Sequence, residues 1–100
     1  MATLHELLQW YGRTPRPANI GDRVGGVALA ELEDEIQDAA GGRAGLDAEV
    51  AARRAARLGL ALAEVTRLLP DIQPAATRAY FARLADLARA ALAEIAAREA

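Results

Sequence analysis

Cysteine, lysine and serine are absent from this chain. Without cysteine there is no disulfide, no thiolate metal site and no sulfur nucleophile, and cysteine usage leaves the redox compartment open. Without serine, the one histidine, His5, has neither a serine hydroxyl nor a thiol to activate, so the usual nucleophile–base pairs cannot be assembled. Every basic residue is arginine. Arginine forks suit phosphates, but codon bias in a GC-rich, bacterial genome explains the replacement of lysine more simply.

Aromatic residues are scarce, at 4% of a chain that is 53% hydrophobic. Alanine fills the difference with about a quarter of all positions, so much of the hydrophobicity is helix propensity rather than core volume. No apolar run approaches the ~18 residues of a membrane span. The opening MATLHELLQ carries an acid and no basic region, so it is not expected to be a secretory signal. A cytoplasmic protein is the expectation. With 12 basic and 14 acidic residues the net charge is -2, which gives no electrostatic reason to bind nucleic acid.

What is present is helical periodicity. One helical domain over 1–100 is expected. Thr3 and Glu6 have capping-box spacing, and Leu4, Leu7, Leu8 and Tyr11 share one face of a short helix within 1–12, with Gly12 as its stop. Residues 13–26, RTPRPANIGDRVGG, combine Pro15 and Pro17 with Gly21, Gly25 and Gly26, and read as an irregular arm or loop that only Ile20 and Val24 can anchor. An acidic helix over 27–41 sets Leu29, Leu32 and Ile36 against Glu31, Asp34 and Asp38. Asp47 caps a long helix over 47–69, ended by Pro70. Pro74 opens a second long helix over 74–99, which presents Thr77, Phe81, Leu84, Ala88, Ala91 and Ile95.

The short PDIQP connection makes the last two helices antiparallel neighbours. Side-chain size agrees: the alanine-rich start of one lies beside the alanine-rich end of the other, and Leu69 falls near Phe81. The fold expected is all-α, a small bundle built on a long antiparallel hairpin with two shorter N-terminal helices and a Pro/Gly arm. The apolar face of the last helix is wide for one neighbour.

No catalytic, cofactor or metal site is expected. Glu31, Glu33, Asp34, Glu35 and Asp38 form an acidic group, but carboxylate metal bundles point their ligands inward and combine them with histidine, so a solvated face is the simpler reading. Gly41-Gly42-Arg43-Ala44-Gly45 has the glycines of a phosphate loop without its lysine, its spacing or a preceding strand. Arg43, Arg53, Arg54 and Arg57 make a small basic edge, partly paired by Glu49 at i, i+4.

A protein-binding or accessory subunit therefore stands first, associating with itself or with a larger partner such as the catalytic chain of an enzyme; a small DNA-binding regulator is the alternative. Trp10 projects about 100° from Tyr11 and either packs under its own arm or serves as a docking anchor. Leu60 falls among charged residues. Arg54 projects beside the apolar stripe. The expected protein-interface residues are Trp10, Arg13, Arg16, Ile20, Val24, Arg54 and Leu60.

Overall fold

The computed structural model describes residues 2–41 and 47–99. Helix α1 (Leu4–Arg13) starts with the capping box expected from its sequence: Thr3 Oγ1 accepts from the Glu6 N–H at 3.1 Å, and Glu6 Oε1 accepts from the Thr3 N–H at 3.0 Å. Gly12 does not stop it. The helix runs through Gly12 to Arg13 and closes on Thr14, whose backbone is extended and whose hydroxyl donates to the Trp10 carbonyl at 2.5 Å. The terminator is Pro15, which disfavours helical backbone at the residue before it.

The arm is less irregular than its composition suggests. Strands β1 (Arg23–Val24) and β2 (Val27–Ala28) pair antiparallel, Val24 opposite Val27. Gly25 and Gly26 both have positive φ, 56° and 81°, the requirement of a tight hairpin turn whose twist matches its strands. This hairpin takes residues 27 and 28 from the expected acidic helix, so α2 spans Leu29–Ala40.

Helix α3 (Ala48–Leu68) is capped as expected, with Asp47 Oδ1 accepting from the Val50 N–H at 2.9 Å. It passes into a 3-10 turn (Leu69–Asp71) that takes Pro70 near its start. Helix α4 (Ala75–Glu99) follows, with the Pro74 carbonyl accepting its first helical bond, from Arg78 at 3.0 Å.

Helix accounts for 76% of the described residues, and the sheet among them is the single two-stranded ribbon, so the chain is an all-α bundle. Helices α1, α2 and α3 all pack on α4, which explains the width of its apolar face. Phe81, Leu84, Leu87 and Ala88 are fully enclosed there, together with Leu7, Leu29, Ile36, Leu58, Val65 and Ile72 from the other elements. Each large side chain so enclosed contributes about 1.5–3 kcal/mol. No helix among the described residues is long and apolar enough to cross a membrane.

Candidate functional site

Glu33 is the residue whose position departs most from the sequence reading. It belongs to the acidic group assigned to solvent, yet it is 1% exposed. The reason is spacing: Glu33 lies four residues after Leu29 and three before Ile36, inside the apolar face of α2 rather than opposite it. Its carboxylate is satisfied on both oxygens. Tyr80 Oη donates to Oε2 at 2.5 Å, and the Arg16 guanidinium forms an ion pair with the carboxylate, Nε lying 2.8 Å from Oε1. Burial first, and the bond to Glu33 second, push the Tyr80 phenol well above its ordinary pKa. Tyr11 is raised too, again by burial first and then by the Glu33 charge.

Around this pair the arm is fixed to the bundle. Asn19 uses both ends of its amide, Nδ2 donating to the Gln73 carbonyl at 2.7 Å and Oδ1 accepting from the Thr77 hydroxyl at 2.7 Å. The Trp10 ring lies against Tyr80, centroids 5.4 Å apart and planes tilted by 45°, with the Arg83 guanidinium 5.8 Å over the indole. Ile20 and Val24 are half-buried against the core. The expectation that only Ile20 and Val24 anchor the arm is therefore corrected. Its principal polar anchors are Arg16 and Asn19, and its ordering is supported within the chain.

Between arm and α4 lies a groove of about 610 Å³, walled by Trp10, Pro15, Pro17, Pro74 and Tyr80, with Ala76 and Ala79 along α4. Its charged lining residues are Arg16 and Arg83, with no acid among them. Arg16 has about half its side chain exposed, so its guanidinium N–H groups remain able to donate while it is paired with Glu33. A second groove, of about 570 Å³, separates the start of α1 from the far half of α4.

The other expected interface residues disperse. Arg13 is exposed in the last turn of α1 and does not line the arm groove. Arg54 Nε donates to the Ala39 carbonyl at 3.0 Å, satisfying one of the acceptors that a helix end leaves free. Leu60 is 76% exposed on α3 and joins neither groove. Arg57 bridges Glu35 at 2.6 Å and Asp38 at 2.9 Å, so the basic edge and the acidic group neutralise each other across α2 and α3. Glu31, Asp34 and Asp38 are exposed, as is His5. Among the described residues no three histidine or carboxylate side chains are grouped to hold a metal ion. The glycine-rich segment from Gly42 to Gly45, with Arg43, lies outside the described residues.

Two features escaped sequence reasoning although signals for both were present: Val24-Gly25-Gly26-Val27 is a hairpin pattern, and the i, i+4, i+7 run Leu29, Glu33, Ile36 marks a buried carboxylate. Comparison with known protein families, curated proteins and solved structures finds no match to the chain.

Proposed function

We propose that this chain is a small helical accessory subunit that grips an extended segment of a larger bacterial partner protein in the cytoplasm, in the groove between its arm and α4. The observation that carries the reading is the lining of that groove. Tryptophan, tyrosine and three prolines form rigid apolar walls, and the charged lining side chains are both arginines. Rigid aromatic and proline surfaces lose little entropy on binding, and they accept extended chains whose own backbone is pre-ordered. Arg16 is paired with Glu33 and Arg83 lies near Asp86, but both arginines are about half-exposed, and their remaining N–H groups favour a segment that combines apolar side chains with a carboxylate. In this reading α3 and α4 form the long antiparallel hairpin that supplies the frame, and the Pro/Gly arm is the outer jaw. Trp10 and Arg16 are its contact residues.

A protein partner is favoured over nucleic acid by how the arginines of α3 are used. Arg53, Arg57 and Arg67 each have a carboxylate within 4 Å, and Arg54 is held by a backbone carbonyl. Phosphate binding draws on unpaired cations clustered on one face.

The test places a photo-crosslinking amino acid at Ala79, inside the groove, and separately at Ala52, exposed on α3, in the full chain expressed in its native host. The expected result is one discrete adduct from position 79, mapping to a segment that carries Asp or Glu, lost with Arg83→Glu and absent from position 52. No adduct at position 79, or the same adduct from both positions, overturns the proposal.

A further inference from the structure

The second groove carries an inference that shares Arg83 with the arm groove and otherwise uses different residues. Its α4 wall presents Ala90, Ala93 and Ala97 at i, i+3 and i+7, flanked by Arg83, Asp86, Arg89 and Glu94, and its other wall is Ala2, Leu4 and Leu7. Alanine at the centre of a helix face lets another backbone approach closely, but that alone selects no occupant. The charges do. In chain order they run positive, negative, positive, negative.

We infer that this groove takes α4 of a second copy of the chain, running antiparallel. A two-fold contact sets the same patch against itself, so each residue meets the position that reversal assigns to it. Reversing this order of charges gives negative, positive, negative, positive, opposite in sign at every place. Arg83 then faces Glu94 of the second copy, and Asp86 faces Arg89 of the second copy; the midpoints of both pairs fall within one residue of Ala88. Eleven residues separate Arg83 from Glu94, which at 100° per residue puts both within ~20° on the helix, and antiparallel packing brings equivalent flanks together. A parallel pairing would set like charge against like.

Within one chain Asp86 accepts from Arg89 at 3.2 Å and lies 3.8 Å from Arg83, and Glu94 accepts from Arg98 at 3.1 Å; all are about half-exposed, so solvent screens these pairs and leaves them free to re-pair across an interface. The patch from Arg83 to Ala97 is only ~21 Å long, so the dimer is small and its dissociation constant is on the order of micromolar.

Sedimentation of the full chain across a concentration series tests this. The wild type is expected to show a monomer–dimer equilibrium. Asp86→Arg alone and Arg89→Asp alone each set like charges across the axis and weaken the dimer on the order of 100-fold. Mixing these two variants is expected to restore a dimer, because each supplies the sign the other lacks; a merely structural defect in either chain would not be repaired this way. Circular dichroism of each variant confirms the helical fold, and Leu60→Ala, exposed on α3 and outside both grooves, leaves the equilibrium in place. A wild type that stays monomeric at millimolar concentration overturns the inference, as does a mixture that stays monomeric.

Discussion

A carboxylate with both oxygens occupied by groups from different elements ties those elements through one residue. Glu33 does this for α2, the arm and α4 through Arg16 and Tyr80. Tyr80→Phe removes the donor to Oε2 and leaves a buried acceptor unmet, so it is expected to cost about 1–3 kcal/mol in urea unfolding. Arg16→Ala removes the cation beside a buried charge. The loss for a fully buried pair is about 3–5 kcal/mol, and solvent around the half-exposed arginine lowers the expected figure to roughly 2 kcal/mol. Replacing both buried partners, Glu33→Leu with Tyr80→Phe, removes donor and acceptor together and is expected to be milder than Tyr80→Phe alone. Tyr80→Phe within ~0.5 kcal/mol of wild type, the ordinary scatter of surface changes, would contradict this account.

At the scale of elements, two glycines show how the same substitution changes sign with backbone. Gly59 is exposed inside α3, and a Cβ built on it meets nothing within 4 Å. Gly59→Ala is expected to stabilise by about 0.5–1 kcal/mol. Gly25 has φ +56°, and a Cβ there would come within 2.7 Å of the Leu68 side chain. Left-handed backbone costs a residue with a Cβ roughly 1–2 kcal/mol, and the crowding adds to it. Thermal melts of the two variants should therefore move in opposite directions, by about 4–8 °C per kcal/mol for a domain of this size. A rise for Gly25→Ala would contradict the hairpin geometry.

The helices were legible because periodicity and caps agreed: Thr3 with Glu6 opens α1, and Asp47 opens α3. What was not read follows from longer-range contacts. Glu33 was grouped with its acidic neighbours, although its burial depends on Tyr80, which lies 47 residues away. The anchoring role of Arg16 and Asn19 is not legible in the sequence because it is set by Glu33, Gln73 and Thr77, none of them near in sequence. The sequence places Arg54 beside the apolar stripe and among the expected interface residues; its acceptor, a helix-end carbonyl, has no sequence signature.

Over the whole molecule the described residues have a Cα radius of gyration of 13.3 Å, close to the ~13 Å of a compact 100-residue domain, so the arm lies on the bundle instead of projecting from it. Its attachment makes the fold sensitive to alkali. Both tyrosines have pKa values raised by burial first. A phenol with a higher pKa folded than unfolded holds its proton more tightly in the folded state, so this contribution is complete below the unfolded value of ~10. It is lost as pH rises from there through the folded values. In an alkaline titration, tyrosinate absorbance and loss of helical dichroism are expected to appear together. A tyrosine ionising freely near pH ~10 with the helices intact would show that the attachment is looser than described. The same attachment contains the only indole in the chain, lying against Tyr80 and beneath Arg83. Intrinsic fluorescence is consequently a local signal from the junction of α1 and α4, while far-ultraviolet dichroism weights the long helices. Where the two transitions separate in denaturant, the gap measures the free energy of releasing the N-terminal half from α3 and α4 while those helices persist.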